Sequence, residues 1–70
     1  MFQYKVYSDG MECFCSPVYS SERSARAAFH KRFGSGSGFW AVIINCLGYK
    51  FVAEKPEGTK SFRRCPEVAR

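Results

Sequence analysis

The chain has 70 residues, of which 46% are hydrophobic and 17% aromatic, which excludes a disordered chain and predicts one small folded domain. Eleven Lys and Arg against six Asp and Glu give a formal net charge of +5, which favours acidic partners, although solubility alone also accounts for it. We recognise neither a secretory signal peptide nor an apolar run of the roughly 20 residues that a membrane helix needs. We therefore expect a cytoplasmic protein without a membrane partner.

The first predicted element is a β-hairpin. Residues 2–7 alternate in polarity in the manner of a strand. Asp9 and Gly10 tolerate the positive φ angles of a tight turn, so residues 11–16 are predicted to return antiparallel. Pro17 has no N–H for a ladder and is expected to end this second strand or to confine it to an edge of the sheet.

Residues 20–34 carry the one persuasive helical period. Their apolar stripe consists of Ala25, Ala28, Phe29 and Phe33. Ser20 or Ser21 is expected to cap the first turn, and Gly34 suits the C-cap because glycine adopts positive φ without a steric cost. The following Gly-Ser run, residues 34–38, is predicted to be a flexible connector.

A second hairpin follows the helix. Residues 39–44 form a continuous apolar run typical of a strand with both faces covered or of an interface strand, and residues 49–54 alternate as its returning strand. The whole pattern predicts an α+β fold of the order ββαββ, with an antiparallel sheet of about four strands and a single helix on one face. We expect one compact domain over residues 1–58 and a basic tail over residues 59–70, which either adds a short strand or frays.

One helix covers only one face of such a sheet, yet the strands offer apolar residues to both faces. An uncovered apolar face usually marks an interaction surface. Rings beside cations are also how several single-stranded nucleic-acid binders work, and a core or homodimer position is the alternative for the same rings. The candidate binding residues of this sheet face and the tail are Lys5, Tyr7, Phe14, Trp40, Tyr49, Lys50, Arg63 and Arg64.

A second candidate surface is a basic ridge on the helix, formed by Arg23, Arg26, His30 and Lys31. Such a ridge suits contact with a phosphate backbone. Ordinary solvated helix charges give the same spacing, and this alternative stays open.

Metal, cofactor and catalytic sites lack support in the sequence. Free thiols are expected in a reducing compartment, with a disulfide or zinc as alternatives, although the C-x₂-C pairs of common zinc sites are missing. The single histidine, His30, has no identifiable orienting carboxylate. The Gly-Ser run leaves a helix rather than entering one, which is the wrong polarity for a phosphate loop. The four cysteines are Cys13, Cys15, Cys46 and Cys65.

These observations predict a small, non-catalytic binding protein without a cofactor. We expect it to occlude or adapt a macromolecular target, either a host protein or a nucleoprotein complex. In size and composition, though in no specific residue, the chain is similar to phage- and plasmid-encoded inhibitors of host enzymes or defence complexes, including anti-CRISPR proteins. The alternatives are a nucleic-acid-binding module that uses the helix ridge or the aromatic sheet face, and a homodimeric interaction module.

Overall fold

A computed structural model describes residues 1–65 of the chain. One helix packs against one face of a five-stranded antiparallel sheet. The predicted α+β class with a single helix is confirmed, and the sheet has five strands rather than about four. The elements are β1 (Phe2–Ser8), β2 (Met11–Cys15), α1 (Glu22–Phe33), β3 (Trp40–Asn45), β4 (Lys50–Lys55) and β5 (Arg63–Arg64). The strand order in the sheet is β2-β1-β3-β4-β5.

The predicted tight turn joins β1 to β2. Asp9 and Gly10 have φ angles of 53° and 78°, as a two-residue hairpin turn requires. The pairing shifts within the hairpin, because Val6 lies opposite Phe14 whereas Tyr7 lies opposite Glu12. Such a shift is a β-bulge, which adds a residue to one strand and changes which side chains share a face.

Helix α1 begins and ends where its capping residues allow. Of the two serines expected at the start, Ser21 is the N-cap, and its Oγ accepts a hydrogen bond of 3.1 Å from the N–H of Ser24. At the other end, Gly34 donates its N–H to the carbonyl of His30 over 2.8 Å. The cap thereby satisfies one carbonyl that the last turn would otherwise leave open.

The core lies between α1 and the sheet. Phe29 is fully buried and stands edge-on to Tyr4 and to Phe62, with ring centroids 5.6 Å and 5.2 Å away. Phe62 shows that the segment before β5 contributes to the same core. The buried members of this core are Tyr4, Val6, Ala25, Phe29, Ala41, Ile43, Ala53 and Phe62.

The tail predicted over residues 59–70 falls partly outside the described residues, which end at 65. Within the described part, β5 pairs antiparallel with β4. The division of the chain into a domain and a tail stays a prediction. In residues 1–65, α1 is the only helix, and it is neither long nor apolar enough to cross a membrane.

A buried lysine holds two loops together beside the core. Lys55 is fully buried, and its Nζ donates hydrogen bonds to the carbonyls of Phe39, at 2.8 Å, and Thr59, at 3.0 Å. Burial lowers the pKa of Lys55. The Gly-Ser connector is also anchored, since Gly58 donates its N–H to the carbonyl of Ser37 over 2.7 Å. The connector is therefore hydrogen-bonded to the loop that follows β4, and its flexibility stays a prediction.

Candidate functional site

The sheet surface opposite α1 is the candidate site, and we call it the open sheet face. Tyr4 and Val6 of β1 point into the core, so the alternate residues of β1 lie on the other face. The strand register then places Val42 and Trp40 beside Lys5 and Tyr7, and Phe51 beside Ile44. The outermost side chains of the open sheet face are Lys5, Tyr7, Trp40, Tyr49 and Phe51.

An apolar layer supports these side chains. Val42 and Ile44 are fully buried although α1 lies on the other side of the sheet. Their cover comes from neighbouring strands, since Val42 lies between Lys5 and Glu54 in the register. The long side chains of the open sheet face thus lie over an apolar floor formed by Val42 and Ile44.

Two pairs of aromatic rings lie on this floor. The rings of Tyr7 and Trp40 are 4.6 Å apart between centroids, and those of Tyr49 and Phe51 are 6.3 Å apart. Tyr49 is 60% exposed and Phe51 is 46% exposed. Large exposed rings above a packed apolar layer form a hydrophobic surface of the kind that binds a partner protein.

Tyr49 occupies a backbone conformation that aromatic residues seldom adopt. Its φ angle is 52°, in the left-handed region that costs a non-glycine residue about 1–2 kcal/mol. In this conformation its hydroxyl accepts a 3.1 Å hydrogen bond from Nζ of Lys5. That hydrogen bond and the Glu12 carboxylate together raise the pKa of Lys5. An exposed ring held at a backbone cost is a candidate for a functional role.

The basic side chains of the open sheet face are neutralised by acidic neighbours. Lys5 lies 3.3 Å from a carboxylate oxygen of Glu12, and Arg63 lies 2.9 Å from one of Glu54. Arg63 also donates from Nε to the same oxygen over 3.3 Å. The face is therefore aromatic with paired charges, rather than aromatic with free cations.

Three of the candidates given for the sheet face or the tail lie on the helix side of the sheet instead. Phe14 pairs with Val6 and packs on the helix side, where the guanidinium of Arg32 lies 4.4 Å from its ring centroid. Lys50 lies opposite Asn45, and Arg64 lies opposite Ala53, which is a core residue. Paired residues share a face, so Arg64 also points to the helix side.

Lys50 follows the same rule through a longer chain of pairs. Its partner Asn45 lies opposite Phe2, which packs against the core. Lys50 is exposed but belongs to the helix side of the sheet. The open sheet face therefore keeps four of the eight candidates fully, namely Lys5, Tyr7, Trp40 and Tyr49, and Arg63 at its edge.

The helix ridge is divided rather than continuous. Arg23 and Lys31 are exposed, whereas Arg26 is half-buried and forms a 2.7 Å ion pair with Glu22. His30 is also half-buried, with its ring 5.9 Å from that of Phe62 and its Nδ1 2.8 Å from the carbonyl of Gly34. Only two of the four ridge residues therefore present a free basic surface.

Phe51 belongs to the open sheet face, and sequence reasoning did not include it. The register shifts between Ile43 and Ile44, so that Phe51 pairs with Ile44 while Ala53 pairs with Ile43. This bulge interrupts the simple alternation along β4. The alternating pattern itself was the available signal, but it could not say which face each residue takes.

The cysteines form no disulfide in the structure. Cys13 and Cys15 are exposed, and Cys46 and Cys65 are half-buried. Burial, together with the nearby Glu54 carboxylate, raises the pKa of the Cys65 thiol. Among the described residues, no group of three or more His, Cys, Asp or Glu side chains is placed to hold a metal ion.

Neither a protein-family model, nor a curated protein, nor a solved structure is significantly similar to this chain. A functional proposal must rest on the geometry of the open sheet face and on the charges around it.

Proposed function

We propose that this protein is a non-catalytic binding module that attaches to another protein through the open sheet face. The observation that carries the proposal is the exposure of Tyr49 and Phe51 on the same sheet face as the Tyr7–Trp40 ring pair, above a fully buried apolar floor. Tyr and Trp dominate the energetics of protein interfaces, because a rigid ring buries a large area at a small entropic cost. The module acts by covering a functional surface of its target, as an inhibitor or an adaptor does.

The charges of the face favour a protein partner over nucleic acid. Binders of single strands combine stacking rings with cations that are free to meet phosphates. Here both Lys5 and Arg63 are already engaged by carboxylates, and a phosphate would have to displace Glu12 or Glu54. A protein surface, in contrast, can bury the rings and leave both ion pairs at a polar rim.

A second copy of this chain is the other occupant that the geometry allows. Two open sheet faces would bury each other's rings as isologous interfaces do. Sedimentation distinguishes this case: we expect a monomer at micromolar concentration, because a module whose face is filled by its own copy has none left for a target. A tight dimer abolished by substitution of the rings would assign the open sheet face to self-association and overturn the proposal.

The decisive experiment compares two double variants in affinity captures from lysate, with and without nuclease treatment. Tyr49→Ser with Phe51→Ser removes the exposed rings of the open sheet face, and Arg23→Ser with Lys31→Ser removes the exposed cations of the helix. Both pairs are solvent-exposed, so both variants should keep the fold, which circular dichroism checks. We expect a nuclease-resistant partner that the wild type and the helix variant capture and the ring variant does not. Capture lost only in the helix variant, or lost on nuclease treatment, contradicts the proposal.

A further inference from the structure

Three arginines from two separate elements converge on a cleft on the helix side of the sheet. The cleft has a volume of about 440 Å³ and is lined by Glu22, Arg23, Arg26 and Arg64. The first three belong to the beginning of α1, whereas Arg64 belongs to β5. Arg64 lies on the same side of the sheet as α1, because its pairing partner in β4, Ala53, belongs to the core beneath the helix.

Glu22 lies between two of the three guanidinium groups and does not neutralise the cluster. One carboxylate oxygen lies 2.7 Å from Nη2 of Arg26, and the other lies 4.0 Å from Nη2 of Arg64. A single carboxylate thus serves two arginines, while Arg23 has no ion-pair partner among the described residues. Three positive groups against one negative group leave an excess of two positive charges around the cleft.

Arg26 is held in place by contacts other than this ion pair. Its guanidinium lies 5.9 Å from the ring centroid of Phe62, and its Nε is buried without a hydrogen-bond acceptor among the described residues. Arg23 and Arg64 are exposed, whereas Arg26 is half-buried. Two of the three guanidinium groups are therefore open to a ligand, and Arg26 is held beside them by Glu22 and Phe62.

We propose that this cleft binds the phosphate group of a small phosphorylated molecule. The planar guanidinium fork matches phosphate oxygens, and its charge-assisted hydrogen bonds are among the strongest in proteins. The cleft lies at the first turn of α1, whose dipole also favours an anion. One local cluster of cations suits a single phosphate, because a nucleic-acid strand requires a track of cations rather than one cluster. This site lies across the sheet from the open sheet face, and it does not depend on the function proposed for that face.

The test is an NMR titration of the ¹⁵N-labelled protein with inorganic phosphate and with pyrophosphate, at constant ionic strength set by chloride. We expect saturable shifts of amides at the start of α1 and in β5. Arg23→Ala and Arg64→Ala should each weaken binding at least about fivefold, the loss of one exposed charge-assisted contact. Lys31→Ala, a matched control on the exposed helix surface, should change binding by less than about twofold.

Glu22→Gln provides a check with the opposite sign. Its amide removes the internal negative charge but can still accept a hydrogen bond, so phosphate should bind more tightly. Amide shifts that do not saturate would overturn the proposal. So would an equal loss of phosphate affinity in Arg64→Ala and Lys31→Ala, because it would show only a general attraction of phosphate to the positive surface. The proposal would also be overturned if a short oligonucleotide bound more tightly than pyrophosphate and if Lys31→Ala weakened that binding as much as Arg64→Ala.

Discussion

Substitution of Gly36 tests the packing of the connector against the core. Gly36 has a φ angle of 61°, and a Cβ built on it would overlap Cζ of Phe29 and lie 2.7 Å from Cε2. Phe29 cannot move aside easily, because it is fully buried among other rings. Overpacking a filled core costs about 1–3 kcal/mol, and positive φ costs alanine about 1–2 kcal/mol more. Gly36→Ala should therefore lower the free energy of unfolding by about 2–5 kcal/mol.

Gly10→Ala is the matched control. Gly10 has a φ angle of 78°, but nothing lies within 4 Å of its Cβ position, so this variant carries the backbone strain without the clash. In urea unfolding, the free energy of unfolding of Gly36→Ala should be about 1–3 kcal/mol lower than that of Gly10→Ala. Each kcal/mol corresponds to a difference of roughly 4–8 °C in Tm for a domain of this size. Equal losses in the two variants would refute the contact between the connector and Phe29.

Three further predictions concern other parts of the molecule. Burial lowers the pKa of Lys55 below its ordinary 10.5, so the unfolded chain binds the proton more tightly than the folded one. The stability contributed by this group therefore rises as pH increases through the lowered pKa towards 10.5. In urea unfolding between pH 7 and 10, the free energy of unfolding of Lys55→Met should rise less steeply than that of the wild type. Tyr49→Gly should stay within about 1 kcal/mol of the wild type in the same assay, because relief of positive φ offsets the lost hydrogen bond. At pH 8, iodoacetamide should alkylate Cys65 more slowly than the exposed Cys13, as mass spectrometry can follow, because the raised pKa of Cys65 lowers its thiolate fraction.

Local signals in the sequence were sufficient for the hairpins and the helix. The pair Asp9-Gly10 can hardly form anything but a tight turn between two alternating strands, and Ser21 and Gly34 satisfy groups at the two helix ends. These residues act on their immediate neighbours in the chain, so their effect can be predicted without the rest of the fold. The expectation of an uncovered sheet face also followed from counting faces against helices.

The identity of the face residues depended on long-range register. Phe14 was expected on the uncovered face, but the bulge in the first hairpin places it opposite Val6 on the core side. The bulge near Ile44 had the same effect on Phe51. A shift of one residue moves a side chain to the other face, and the sequence pattern contains no marker for either shift.

Contacts with the C-terminal segment were beyond sequence reasoning for a related reason. His30 and Arg26 looked exposed from the helical period, yet both pack along Phe62, about 30 residues later in the chain. The same approach of β5 to α1 brings Arg64 towards Glu22. A helical period identifies which side faces the sheet, but it does not reveal a neighbour that packs against the helix flank. The binding roles of these residues stay predictions.

The central claim is that the open sheet face is the surface that contacts a protein target. Trp40 is the single tryptophan of the chain and lies on this face, so 5-fluorotryptophan labels one position there for ¹⁹F NMR without labelling the partner. Addition of the captured partner should shift or broaden the Trp40 resonance, and the Tyr49→Ser, Phe51→Ser variant should abolish that change. An unchanged Trp40 resonance, under conditions where sedimentation shows the complex to be fully formed, would contradict the claim.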